Sequence, residues 1–262
     1  TARNAGSVLS LLGLLGILLR FADNEGFPDA LREPVDAAIL GYRYWVDEPG
    51  DDALAFGNEA LQFVFHTCEV LAGQRYHDRL FPNLNETGSR HREMGEQRAL
   101  AWLRQVASQG LAAWESDVAL ESIIAALVHL VSFSENDDLW ELAAAMLDKV
   151  LFSVALNSYI GIPATTRGAT STGAVLNGAL SPLAGVSRLM WGMGSFNHHT
   201  VALVSLACAE AYSFPRLIQA IGTALPEGLW GRAHHGPGGG AGVDTVVHRT
   251  PDYVLSSALD FH

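Results

Sequence analysis

Residues 57–74 read GNEALQFVFHTCEVLAGQ. Apolar residues Leu61, Phe63, Val64, Phe65, Val70 and Leu71 cover most of the circumference of a helix with 3.6 residues per turn. Glu59, Gln62, His66 and Glu69, spaced three, four and three apart, fall on one remaining stripe. A helix that is apolar on nearly every side is an interior helix. It needs other helices around it, so this stretch predicts a mainly α protein in which a buried helix presents a polar stripe to a cavity. Two further readings of the stripe stay open. It is equally well a hydrogen-bonded network between helices, and a His–Glu pair at i, i+3 also resembles the metal ligands of helical bundles. No metal or cofactor is expected, because further ligands would have to come from elsewhere.

Working outward, helical periodicity predicts helices near 7–22, 29–46, 57–74, 91–108, 117–133, 137–156, 199–212 and 214–223. Pro28 is placed as the first residue of the second helix, and Asp51, Asp52 and Gly57 precede the third. Asn136 caps the sixth, with Asp137 and Asp138 in the first turn, where the helix dipole favours them. Residues 7–19 resemble a signal-peptide core, but they are too short to span a bilayer, and a buried first helix is expected. Cys68 and Cys208 are read as two buried thiols rather than a disulfide.

Two segments break the helical pattern. Residues 157–198 hold seven glycines and a cluster of threonines, and they are expected to be an ordered, irregular functional loop. The glycine-rich run at 236–240 reads as a linker, and the β-formers Val243, Thr245, Val246, Val247, Tyr253, Val254 and Leu255 read as strands. The expected organisation is an α/α toroid, an incomplete (α/α)6-like barrel of helical hairpins, over 1–232. A linker and the first strands of a C-terminal β-domain follow over 233–262. The chain starts at Thr1 and stops at His262 inside an extended pattern, which predicts a piece of a longer protein.

The 262 residues carry 28 acids and 16 bases, a formal net charge of −12, and 49% are hydrophobic. That apolar fraction excludes a disordered chain, and the acidic balance argues against nucleic acid or an anionic membrane as partner. No glycine-framed nucleophilic serine, phosphate-binding loop or HExxH zinc motif occurs. The charge is uneven. Between Asp148 and Glu210 there is no acid at all, while Lys149, Arg167, Arg188, His198 and His199 fall there. Such an electropositive island can take an acidic ligand such as a uronate.

The candidate chemistry follows from residue types. Trp114 beside Glu115 and Asp117 is the kind of grouping that stacks on a sugar ring and holds its hydroxyls. Asp117 equally serves as a helix N-terminal acid. Asn157 and Tyr159 close the sixth helix and lead into the electropositive loop. There Tyr159 can move a proton, and Asn157, Arg167 and His198 can neutralise a carboxylate. That set fits β-elimination on a uronate. Asn197 caps the next helix, opening it with His198 and His199, and His234 and His235 lie in the linker.

Helical hairpins, a glycine-rich linker and strands, in that order, resemble the polysaccharide lyases that degrade alginate, chondroitin and heparin. The strings FVFHTCEVLAGQ (63–74), LFSVALNSYIG (151–161) and HRTPDYVLSSALDF (248–261) look like those in large bacterial proteins of that architecture. The resemblance implies a toroid followed by a β-domain and lyase activity. It also carries a departure. Where the relatives have a Glu-Asn-His-Gln string, this chain reads Glu59-Ala60-Leu61-Gln62, so the work shifts to His66, Tyr159 and His198.

The leading expectation is therefore a carbohydrate-active lyase acting on an acidic oligo- or polysaccharide. Glu59, His66, Tyr159 and His198 are its catalytic candidates. Gln62, Trp114, Glu115, Asp117, Asn157, Arg167 and His199 are its substrate-binding candidates. The alternatives are a glycoside hydrolase on the same toroid, using Glu59, Glu115 and Asp117, and an inactive glycan-binding scaffold. Compartment and oligomeric state stay open, with a secreted or periplasmic placement slightly favoured.

Overall fold

The computed structural model describes residues 3–236 and 242–261. Ten α-helices and one 3-10 turn lie among the described residues. In chain order they are α1 (Ser7–Phe21), α2 (Asp29–Leu40), α3 (Glu59–Arg75), α4 (Gly88–Gln109), α5 (Asp117–Phe133), α6 (Asp137–Leu156), α7 (Thr172–Leu176), α8 (Pro182–Trp191), α9 (Val201–Ala207) and α10 (Arg216–Thr223). The protein is mainly α. None of these helices is long and apolar enough to cross a membrane.

The quoted stretch is the centre of the core. α3 packs against α1, α4 and α5, and α5 packs in turn against α6 and α9. Phe63, Val64, Phe65, Cys68, Val70, Leu71 and Ala72 are fully buried. α3 and α4 approach closely because Gly73 and Gly95 have no side chain: a Cβ on Gly73 would lie 2.5 Å from the Arg92 amide, and one on Gly95 would lie 2.9 Å from the Val70 amide. The helix starts obey the capping rule. Asn58, Ser116 and Asn136 accept the amides of Leu61, Ala119 and Leu139, each cap contributing about 1 kcal/mol.

Several expected boundaries move. The second helix stops at Leu40 rather than 46, because Glu48 takes the amides of Tyr44 (2.8 Å) and Trp45 (3.2 Å) out of helical pairing. Pro28 is the cap of α2 and not its first residue. α9 covers only Val201–Ala207 of the expected 199–212. Residues 157–198 are not irregular throughout. They hold a small hairpin, β3 (Ser158–Tyr159) with β4 (Ile162–Pro163), then α7 and α8; α8 begins at Pro182 behind the Ser181 cap. Cys68 is buried, but Cys208 is exposed, and both thiols are free.

A two-stranded pairing, β1 (Leu80–Phe81) with β2 (Glu86–Thr87), joins α3 to α4. The C-terminal strands are β5 (Leu229–His235), β6 (Gly242–Arg249) and β7 (Val254–Phe261), which pair as an antiparallel meander in that order. His234 and His235, expected in a linker, are therefore the last two residues of β5. The expected glycine-rich linker lies mostly outside the described residues.

One sheet face sits on the helices. Val247 is buried, and Gly231 lets the strand approach Leu156. Arg249, also buried, donates to the carbonyls of Ala155 (2.8 Å), Ser158 (2.9 Å) and Ile221 (2.6 Å), which ties β6 to the ends of α6 and α10. Burial holds its guanidinium below its ordinary pKa. This seam is what brings His235 over the start of α5.

Candidate functional site

The loop from Gly110 to Ser116 delivers Trp114 and Glu115 to the start of α5. Glu115 has φ of +51°, in the left-handed region that a side chain with a Cβ rarely adopts. Backbone strain of this kind is tolerated where the surroundings hold it, and it clusters at functional sites. The Glu115 carboxylate accepts the Ser153 hydroxyl of α6 at 2.6 Å. Asn157 donates from Nδ2 to the Ser153 hydroxyl (3.2 Å) and carbonyl (3.1 Å), which fixes that serine.

From the sheet, His235 Nε2 reaches 4.0 Å from Glu115 Oε1, both side chains being little exposed at 11% and 12%. The Trp114 and His235 ring centres are 5.9 Å apart. Trp114 also lies across Gly168, whose amide donates to the Trp114 carbonyl at 2.8 Å. A narrow recess lined by Glu115, Asn157, Thr165, Arg167 and Leu183 has room for about one water, so a sugar ring would have to lie at its mouth.

The electrostatics of the Glu115–His235 pair are unusual. Burial pushes the Glu115 carboxyl up, against the Ser153 hydrogen bond and the charge of Arg167. Burial also pushes the His235 imidazole down, helped by His234 and Lys149. Both shifts act against the charged forms, so an acid and a base stand side by side in surroundings that weaken an ion pair between them.

Arg167 does not serve as the free cation that its position in an acid-free stretch implied. It donates to Asp117 Oδ2 (3.1 Å) and to the carbonyls of Pro163 (2.9 Å) and Thr165 (3.4 Å). Its role is to pin the 163–168 loop onto fully buried Asp117. Arg188 is likewise turned onto the Gly192 carbonyl. One turn along α5, Glu121 lies 3.5 Å from His199, and the His198 ring packs tilted against His199, with ring centres 4.2 Å apart. Burial raises Glu121 against the pull of His199.

The structure thus gathers Trp114, Glu115, Asp117, Asn157 and Arg167 in one place, with His199 and His198 joined to α5 beside them. Glu59 touches the same loop from the other side, accepting the Ala112 amide at 2.8 Å. The remaining candidates lie elsewhere. Gln62 donates to the Phe56 carbonyl (2.8 Å), and Tyr159 donates to the Pro251 carbonyl at the sheet (2.7 Å). His66 is buried against Trp45, with ring centres 4.5 Å apart, and burial pushes it down to about 3.

The α3 stripe accordingly does not face a single cavity. With α1, α4 and α5 packed around it, its polar groups are spent on separate neighbours, and Glu69 is the deepest of them. Fully buried, Glu69 accepts Arg98 Nη1 at 2.9 and 3.2 Å and lies 3.1 Å from His91 Nδ1. Glu48 lies alongside: one possible ligand atom each from Glu48, Glu69 and His91 falls within 4.8 Å of the other two.

Four participants escaped the sequence reading. Ser153 and Glu121 looked like ordinary helix residues. His235 is visible only once β5 and β6 are read as a hairpin around the glycine run, a pairing that strand-formers on both sides of a glycine turn do signal. Glu48 follows the expected end of the second helix at 46, where no spacing singles it out. No protein-family model, curated protein or solved structure matches the chain.

Proposed function

We propose that the chain is a carbohydrate-active lyase that cleaves an acidic, uronate-containing glycan by β-elimination, with Glu115 and His235 as its proton-transfer pair. We also propose that its hairpins belong to an α/α toroid. The observation that carries the activity is the acid–base pair itself, with His235 4.0 Å from Glu115, Glu115 lining a narrow recess, and the Trp114 ring beside His235. Elimination needs one group to remove the proton on the carbon bearing the carboxylate and another to protonate the departing glycosidic oxygen. His235, whose surroundings favour the unprotonated imidazole, is suited to the first task, and Glu115, whose surroundings favour the protonated carboxyl, to the second.

In this reading the C–H electrons form the new double bond as the C–O bond breaks. Glu115 is left as a carboxylate and His235 as an imidazolium. A water bridging the 4.0 Å between them would carry the proton back and reset the site. Trp114 offers a ring for stacking on the sugar. Lys149, whose ammonium spends one donor on the Ala107 carbonyl and whose charge reaches His235, is placed to hold the substrate carboxylate. Ser153 and Asn157 position Glu115. His66 is buried and Tyr159 is committed to Pro251, so neither is assigned a catalytic part.

Incubation with a panel of polyuronates is expected to raise ultraviolet absorbance as unsaturated ends form. A flat trace across the whole panel would overturn the reading. One feature favours a glycoside hydrolase as the second reading: Glu59 and Glu115 both engage the 110–116 loop, which gives two carboxylates in one neighbourhood. Release of reducing ends without absorbance would mark that outcome.

A further inference from the structure

The cluster at the base of the α3–α4 hairpin is separate from the Glu115 site and plays no part in the chemistry proposed above. Glu48, from the loop after α2, accepts two backbone amides and Asn83 Nδ2 (3.2 Å), all neutral donors. Glu69 accepts Arg98, but Arg98 divides its guanidinium between Glu69 and Asp47 (2.7 Å). Two carboxylates with at most 2% exposure thus face a single guanidinium that a third acid shares. A buried negative charge left over in this way is costly unless a cation or a proton joins it.

His91 is the third member, fully buried, with Nδ1 on Glu69 and with Nε2 enclosed and unpartnered among the described residues. His66, one turn before Glu69 on the same helix face, also has a buried Nδ1 that no described residue partners. Trp45 packs against the His66 ring and donates its own amide to Glu48. Buried imidazole nitrogens are normally satisfied, so two unpartnered ones beside a buried carboxylate pair mark ligand capacity that the protein atoms leave unused.

We propose that Glu48, Glu69 and His91 form a structural site for one divalent transition-metal ion of the Zn2+ or Mn2+ class. Two carboxylate oxygens and one imidazole nitrogen lie within 4.8 Å of one another, and small side-chain shifts that draw them together bring all three to ligand bonds of about 2.0–2.2 Å on a shared centre. Arg98 then acts from behind by orienting Glu69, as outer partners of metal-bound carboxylates do. The donor set of oxygen plus imidazole selects against Ca2+ and Mg2+, which favour oxygen alone. Because the three ligands come from α3, α4 and the loop after α2, the ion would lock that loop to the hairpin.

The test uses the full chain, stripped with a chelator, dialysed, and titrated with Zn2+ and with Mn2+ by calorimetry. Expected are one equivalent bound per chain and a thermal midpoint that rises with metal concentration, as binding to the folded state alone requires. Glu48→Gln keeps the shape and is expected to weaken binding at least tenfold. Should it fail to fold, His91→Gln carries the same expectation. Glu115→Gln is expected to leave binding intact, which separates this site from the Glu115–His235 pair. Absence of binding to the native chain, or affinity unchanged in both cluster variants, would overturn the proposal and leave a shared proton as the group that neutralises the pair.

Discussion

Glu69 and Glu115 make an instructive pair. Each is a little-exposed glutamate with a histidine and an arginine near it, Glu69 inside α3 and Glu115 in the loop that leads into α5. At Glu69 the arginine donates directly to the carboxylate at 2.9 Å and the backbone is ordinary helix. At Glu115 the nearest strong donor is a serine hydroxyl, the arginine is committed to Asp117, and the backbone is left-handed. The first arrangement ties a carboxylate into a buried network. The second holds a carboxyl whose pKa burial raises, partly exposed and at a conformational cost. Burial and a charged neighbour alone do not distinguish a structural acid from a reactive one. What the neighbour is bonded to does.

The comparison breaks most decisively at Glu69. Glu69→Ala leaves Arg98 and His91 facing a cavity, and removing one partner of a buried ion pair typically costs about 3–5 kcal/mol. Urea unfolding is expected to show a loss of that size. A loss under about 1 kcal/mol would show that the network is not what holds α3 to α4.

Glu115→Gln is expected to behave in the opposite way. The raised pKa means that the folded state favours the protonated carboxyl. That contribution is present below the ordinary carboxylate range and is lost as pH rises through the folded value. Glutamine removes the penalty, so stability near neutrality should hold or rise slightly, while elimination activity falls about 100-fold or more. Large unfolding with no specific loss of activity would assign Glu115 to the scaffold.

How far each region could be read from sequence follows the same division. α3, α5 and α6 were legible to within about a residue or two, because their apolar period runs for four turns or more and Asn136 and Asp117 mark the starts. The second helix was overextended because Tyr42 and Tyr44 are buried in the loop, which prolongs an apolar pattern after the backbone has left the helix. α8 was hidden by its glycine-rich surroundings, although Ser181-Pro182 is a sound start signal. Trp114, Glu115 and Asp117 were legible as a group because they are adjacent in sequence, and Asn157 because it ends a helix. The His235–Glu115 contact spans 120 positions and depends on the sheet docking through Arg249. No local pattern encodes it.

His66 sharpens the contrast from a third direction, since it lies on the same α3 stripe as Glu69. Burial lowers its imidazole from 6.5 to about 3, so the unfolded chain takes up a proton that the folded chain refuses over that interval. Stability is therefore complete above pH 6.5 and is lost as pH falls toward about 3, by an amount on the order of 4 kcal/mol. His66→Phe, which keeps the contact with Trp45, is expected to remove that part of the acid-side slope in a series of denaturant melts. It is also expected to retain activity. An unchanged slope would mean that the imidazole is charged in the fold.

The smallest expected effect is at Tyr159, and it discriminates between the sequence expectation that Tyr159 moves the proton and the proposed assignment to Glu115 and His235. Its hydroxyl donates to the Pro251 carbonyl at 2.7 Å in an exposed position, and a bond of that kind contributes up to about 1 kcal/mol. Tyr159→Phe is therefore expected to lower stability by no more than that and to leave kcat/KM within about twofold. If the tyrosine were the proton-abstracting base, the same substitution would cost about 100-fold or more with the fold intact. Measured beside Glu115→Gln under identical conditions, the ratio of the two losses decides whether the proton moves at the helix start beneath His235 or at the hairpin that follows α6.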